Sequence, residues 1–367
     1  MLIKNIWLKQ NLSVFLILVT LLIFNGLVMG DHGGDHGGDD LEKIFTDSYR
    51  KGAGCNDKNC PPFGSTNSVA AIAQDGIISE NSKFSIILEA SITNYQNFGK
   101  KIKEFQDILR SLQRRYPQAG LCSVVAFGNN AWKVLTNNDQ SANQLKNFVQ
   151  RGKGEFIAPS TQRDILFHLQ CIQMDVLFSL ALYTNRTFTG SIKIEEEVHC
   201  FKWEESRDFI GFIDGTVNPV GAANRTNASL VSDGQDVGGS YIMSQRFRHE
   251  LDRWSKVPVM IQEQIVGRTK DNSTILPRDQ RDPNAHVAKT FLGNRVLRKS
   301  MPYGVVNGGD IGLYFISYSH HLSFMEDQLK SMFGELNGQF DRLLNYTKPV
   351  TGSYWYAPSL VQLNRLN

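Results

Sequence analysis

The chain has 367 residues, 41% hydrophobic and 20% charged, with a formal net charge of +3. This is a globular composition with ample apolar material for a sizeable core. With 39 basic residues against 36 acidic and no basic block interleaved with aromatics, the charge excludes any global preference for nucleic acid or an anionic membrane.

Lys4 and Lys9 precede the apolar run LSVFLILVTLLIF (12–24), and Val28–Met29–Gly30 lead to a polar switch at Asp31. Residues 1–30 therefore read as a secretory signal peptide cut near Gly30, in preference to an uncleaved signal anchor. Its removal leaves 37 basic residues against 36 acidic, a net charge of +1, and no stable membrane association is expected. A secreted protein, extracellular or vesicular, would use the N-x-S/T sequons at Asn185, Asn224, Asn227, Asn272 and Asn345, making it a glycoprotein. Residues 31–67 read as a flexible leader opening with DHGGDHGGDD, a solvated segment despite His32 and His36. Cys55 and Cys60 form the expected bridge of an oxidising compartment; no second pair follows at zinc spacing. Cys122 and Cys171 read as small buried hydrophobes, the latter on an amphipathic helix.

Folded structure is expected from Ser68. FSIILEASI (84–92) has the β-branched look of a central strand. Phe98, Ile102, Phe105, Ile108, Leu109 and Leu112 recur at helical steps until Pro117 and Gly120 end the helix. LCSVVAFG (121–128) is a second strand, and Ile165 to Leu180 suggest a long helix over about 160–182. The second half repeats the mixture: an extended segment around His199–Trp203, YIMSQRF (241–247), a helical stretch through Arg268, IGLYFISYS (311–319), and the helix LSFMEDQLKSMF (322–333). Strands and helices in mixed order, twice over, predict an α+β fold of two halves with antiparallel sheets and helices packed on one face. No nucleotide-binding glycine fingerprint and no G-x-S-x-G elbow is present.

Among the eight histidines, His168 reads as a core or interface residue on the predicted helix. His249, in RFRHELDRW, reads as a solvated residue of a charged helix. His320 and His321 lie where a strand ends and a helix opens. His286 differs: it follows a Pro- and Asn-bearing loop in RDPNAHVAKTF, where an imidazole can be aimed into a cavity. GFIDGTVNP (211–219) poses a similar question. Its Asp214 follows Phe212 and Ile213 and precedes Gly215, and is either a turn cap or an acid placed for chemistry.

GFIDGTVNP resembles the G-x-x-D-G signature of the dye-decolorizing peroxidases, a family of haem enzymes. The likeness continues through IVGRTK (265–270), AHVAK (285–289), RVLRKSMPYG (295–304), IGLYFISY (311–318) and QLKSMFG (328–334), with APSTQRDILFHL (158–169) upstream. It implies two ferredoxin-like modules, here 68–198 and 199–367, facing each other, with one haem b per chain held mainly by the second. By the same resemblance His286 is the axial iron ligand, and Asp214 and Arg298 are the distal acid and arginine that act on hydrogen peroxide. Arg268 is a partner for a haem propionate, and Gly215 and Thr216 approach the haem. Small phenolic or dye-like aromatics are the implied reductants, and a homo-oligomer is compatible with the sequence. An Asp214 held at low pKa by Arg298 would give an acidic pH optimum. Val217 stands where the family commonly carries an acid, and Ser300 where some members carry Asn, so the pocket's tuning is this chain's own. Trp203, Tyr241 and Trp254 are aromatics able to pass electrons, though their ordinary place is the core. Two other readings are a haem-binding or haem-processing (iron-release) protein and a structural glycoprotein that lost the haem. The joint presence of Asp214, His286 and Arg298 argues against the last.

Overall fold

The structure is a computed structural model that describes residues 67–293 and 296–366. The expected signal peptide, the expected leader up to residue 66 and the expected Cys55–Cys60 bridge lie outside the described residues. Among the described residues no helix is long and apolar enough to cross a membrane.

In chain order the strands are β1 (Phe84–Ile92), β2 (Cys122–Phe127), β3 (Arg151–Lys153), β4 (Phe156–Ala158), β5 (Ile165–Cys171) and β6 (Ile192–Phe201). They continue with β7 (Ser240–His249), β8 (Leu297–Arg298), β9 (Met301–Val305), β10 (Asp310–Ser319), β11 (Thr347–Pro349) and β12 (Ser353–Ala357). In the first half β1, β2, β5 and β6 form a sheet ordered β2-β5-β1-β6, crossed by the helices Phe98–Arg115 and Met174–Thr187. The second half repeats this arrangement as β12-β7-β10-β9, with the helix Leu322–Met332. All pairings are antiparallel. Each half is therefore a ferredoxin-like sheet, and the α+β reading holds.

The two sheets also meet at both edges. Tyr356 pairs with Phe127, and Cys200 with Tyr303, which closes eight strands into a barrel and leaves few exposed edges. Side-chain alternation explains the layering. On β1, Ile86, Leu88 and Ala90 pack under the helices, while Ile87 turns inward to meet Ile242, Tyr318 and Trp355 from the other half. Glu89 also turns inward, accepting from Tyr314 Oη at 2.5 Å and Ser244 Oγ at 3.2 Å. Burial pushes its carboxyl up to about 7.

Three expectations are corrected. The helix predicted over 160–182 is instead β5 followed by the helix Met174–Thr187. Both faces of β5 are buried, so its apolar residues do not alternate strictly with polar ones and imitate a helical stripe. His168 and Cys171 accordingly lie on a strand, and His168 Nδ1 bonds Tyr318 Oη at 2.6 Å inside the barrel. His249 is not solvated. It ends β7, where the alternation of Arg246 and Arg248 with Phe247 and His249 has the period of a strand, and only Leu251–Trp254 is helical.

Gly312 on β10 is required by the β7–β10 seam, since a Cβ there would overlap the Phe247 carbonyl. Gly312→Ala is expected to cost about 3 kcal/mol in urea unfolding, the upper end of what overpacking costs, at a seam that cannot relax. Gly190→Ala, at φ 73° with open space around it, should cost only about 1 kcal/mol of backbone strain. Equal costs would count against the seam.

Candidate active site

Outside the second sheet lies a cavity of about 1270 Å³, open mouth included, whose lining residues all fall between Asp208 and Thr347. Its floor is the outward face of β7 and β10, with Met243, Phe247, Leu313 and Phe315. The GFIDGTVNP loop, the helix His286–Thr290 and the helix Leu322–Met332 wall it. Asp214, Gly215, Thr216, Val217, Arg268, His286 and Arg298 all line this one space.

His286 is the first residue of its short helix. Its Nδ1 bonds Asp341 Oδ2 at 2.6 Å, and the fully buried Asp341 is itself fixed, its Oδ1 accepting from Leu343 N at 2.9 Å at the start of the turn Arg342–Asn345. Arg342 N donates to Asn284 O at 3.0 Å, tying the two segments together. Burial disfavours a charged imidazole here, but the Asp341 carboxylate outweighs it and the His286 pKa is raised. The carboxylate also sets the tautomer: with Nδ1 engaged, Nε2 is left for the cavity.

Asp214 lines the same cavity. Its N–H donates to Ser206 O at 2.9 Å, and its Oδ1 accepts from Gly215 N at 2.7 Å. Gly211 and Gly215, at φ 91° and 74°, make the tight turn possible. Arg207 pins the loop from behind by donating to the carbonyls of Gly211, Lys270 and Asp271. Trp254 supports it through a bond to Ile210 O and contact with Phe212. Burial raises the Asp214 pKa, and the Gly215 N–H and the Arg298 charge do not reverse this. The expected low pKa is thus corrected: desolvation outweighs the Arg298 charge, and the two side chains form no direct ion pair among the described residues.

Arg298 is held at its backbone. Asn218 donates to Arg298 O at 2.8 Å and accepts from Arg298 N at 2.9 Å, clamping the strand to the Asp214 loop. Arg268 follows Gly267, which ends the helix Val259–Val266 in the left-handed conformation. Its Nη1 donates to Ser273 O at 2.6 Å. Ser300 departs from expectation: its Oγ accepts from Ile316 N at 3.4 Å, and it does not line the cavity. Tyr241 and Trp254 are core residues, and Trp203 packs on Phe209.

Sequence reasoning missed three contributors. Asn218 lies within the quoted motif, but its partner is 80 residues away. Asp341 precedes an Arg-Leu-Leu turn, a capping signal that does not announce a histidine. His249 bonds Asp208 and Thr347 at 2.9 and 2.8 Å on the cavity wall, and period-two alternation was its only signal.

Residues 74–202 match the family model described as "Dyp-type peroxidase, N-terminal", and residues 205–362 the one described as "Dyp-type peroxidase, C-terminal". The chain is 34% identical over 266 residues to the dye-decolorizing peroxidase of Rhodococcus erythropolis, covering 70% of this chain and 78% of that one. A deferrochelatase of Escherichia coli is 29% identical over 182 residues, covering 41% and 42%. Among solved structures, a dye-decolorizing protein from V. cholerae superposes with a TM-score of 0.76 at 34% identity, covering 80% of this chain and all of that one. A DypB variant from Rhodococcus jostii RHA1 in complex with heme gives 0.73 at 28% identity, covering 78% and 96%.

The His286–Asp341 pair can be read in solution by NMR titration of the ligand-free protein. His286 should titrate above the 6.5 of an ordinary histidine. In Asp341→Asn, where burial acts without the compensating charge, it should titrate below that value. An unchanged midpoint would show that Asp341 does not govern the imidazole.

Proposed function

The chain belongs to the Dyp-type peroxidases, haem oxidoreductases, and we propose that its second-half cavity would hold one haem b per chain, with His286 as the residue that would bind its iron and Asp214 and Arg298 acting on hydrogen peroxide. The carrying observation is the convergence of these three residues, from separate segments, on one apolar cavity. The residues suit the group. Phe212, Met243, Phe247, Leu313 and Phe315 give the cavity the apolar walls that a flat macrocycle needs. Among the described residues no cluster of three or more His, Cys, Asp or Glu could hold a bare ion, so a lone imidazole with a free Nε2 suits a metal whose other ligands come from a macrocycle. Arg268 brings a guanidinium for a carboxylate of the macrocycle.

When bound, haem supplies the redox chemistry that reduces hydrogen peroxide to water and recovers electrons from a reductant. The protein's part is positional and acid–base. Asp341 keeps the His286 Nδ1 proton and so presents Nε2. Asp214 in its ionised form accepts a proton from peroxide at a carboxylate oxygen and returns it to the departing oxygen. Arg298, held beside the Asp214 loop by Asn218, directs a positive charge at the developing negative oxygen. The apolar walls exclude water and strengthen both effects. Phenolic or dye-like aromatics are the proposed reductants, in keeping with the mouth at Val217 and Phe291, 36% and 64% exposed. The partial deferrochelatase match favours a second reading, haem processing with iron release, which would yield iron-free porphyrin during incubation.

We also propose passage through the secretory pathway. Asn185, Asn224, Asn227 and Asn272 are exposed, whereas Asn345 is half-buried with its amide bonded to Arg342 O. Peptide mapping after glycosidase treatment of protein from a eukaryotic host should find glycans on the exposed group; none there would refute the proposal.

Because the Asp214 pKa is raised above 3.8, its ionised form appears only at higher pH. The acid limb of peroxide reactivity therefore lies above that of an ordinary aspartate, and the optimum is less acidic than the sequence implied. Arg298 opposes the rise, so Arg298→Leu should move the limb further up, as stopped-flow rates of Soret change would show. Asp214→Asn should lower the rate at neutral pH by about 10²–10⁴. The same variant should raise stability there: a folded-state pKa above the unfolded one costs stability as pH rises from 3.8 through the folded value. Loss of the Soret band in His286→Ala tests the ligand. Peroxide turnover intact in both distal variants would refute the assignment.

A further inference from the structure

Arg268 has a neighbour that neither the motif nor the peroxide chemistry uses. Arg281 crosses Gly267, its Cδ 3.6 Å from where a Cβ on that glycine would stand. The glycine's φ of 88° and missing side chain let the 281–287 segment close on the end of the helix Val259–Val266, which brings the two guanidinium-bearing stems together. Asp282 N donates to Gln264 O at 3.2 Å and fixes the same approach.

Neither arginine has an acidic partner among the described residues. Arg268 donates one bond, to a backbone carbonyl. Arg281 makes no hydrogen bond there at all, and its Nη1 is buried without a partner. The adjacent Asp282 is engaged by Arg342 at 3.3 Å. Ser273, buried at φ 58° beside Arg268, has an unpartnered hydroxyl. Burial, reinforced by the Arg281 charge, lowers the Arg268 pKa. Two neighbouring cations withdrawn from water without a counter-ion are unfavourable and call for an anion. A solvated surface arginine would not enclose an unpaired Nη1, and a structural one would bond a carbonyl or carboxylate.

We propose that Arg281 and Arg268 together form a paired cation site for the carboxylate side chains of the cavity's macrocycle, and that their repulsion in the ligand-free fold is released on loading. This rests on the haem reading above. Arg281 is the positioning member, since it does not line the cavity itself and acts by adding charge behind Arg268. Loading then stabilises the fold by removing repulsion as well as by mass action.

The test uses the full-length chain as wild type, Arg281→Gln and Arg281→Lys. Each is titrated with hemin and with hemin dimethyl ester, whose carboxylates are neutralised, following the Soret band; thermal unfolding of the haem-free forms is measured alongside. Wild type should prefer hemin over the ester. Arg281→Gln should bind hemin about tenfold more weakly, a loss of roughly 1.4 kcal/mol, with ester affinity unchanged and the preference reduced accordingly. Its haem-free form should melt higher than wild type, because a repulsive pair is gone. Arg281→Lys, keeping the charge, should retain most of the preference. If Arg281→Gln keeps the full preference, or melts lower while losing both pigments equally, Arg281 is merely structural and the proposal fails. A wild type that takes up neither pigment would overturn the haem reading as well.

Discussion

The bond between His286 Nδ1 and Asp341 Oδ2 is the contact on which the site depends. It joins segments 55 residues apart, at the start of one short helix and the cap of another turn. Without the carboxylate, burial alone would set the imidazole's charge and nothing would choose its tautomer. Asp341 can hold that role because its other oxygen and its backbone are already committed, to Leu343 N and Met332 O. A carboxylate left free to rotate would orient nothing.

The barrel frames this arrangement. Closing two ferredoxin-like sheets edge to edge sends one set of alternating side chains inward, where Trp355, Tyr318 and Ile242 fill the interior, and the other set outward under helices. In the second half the outward set of β7 and β10 is left partly uncovered by short helices, and the cavity occupies that gap. Its acid and its arginine come from different elements, so Asn218 has to bridge them by gripping the backbone of Arg298. The side chain of Arg298 then faces the cavity, its Nη2 donating to Gln328 Oε1 at 3.5 Å.

Desolvation decides the charge of Asp214, whereas at His286 the Asp341 carboxylate outweighs it. A guanidinium near Asp214 suggests a strongly acidic carboxyl, yet the acid is half-buried and desolvated, bonded chiefly to one N–H, and not in direct contact with the cation. Burial wins, as it does for Glu89 inside the barrel. Burial likewise lowers the pKa of Arg268, with the Arg281 charge reinforcing it.

Local patterns carried much of this protein. The β-branched run at 84–92, the helical stripe from Phe98 to Leu112 and the doubled strand–helix order were legible because they reflect short-range periodicity against a core. Asp214, His286, Arg268 and Arg298 were legible as motif residues of a resembled family. Tertiary structure decided the rest, because the deciding contacts are long-range. Whether the apolar run 165–172 is strand or helix depends on the sheet that covers both its faces. Asp341 and Asn218 acquire roles only from partners 55 and 80 residues away. The protonation of Asp214 depends on how much water reaches it, which folding alone determines.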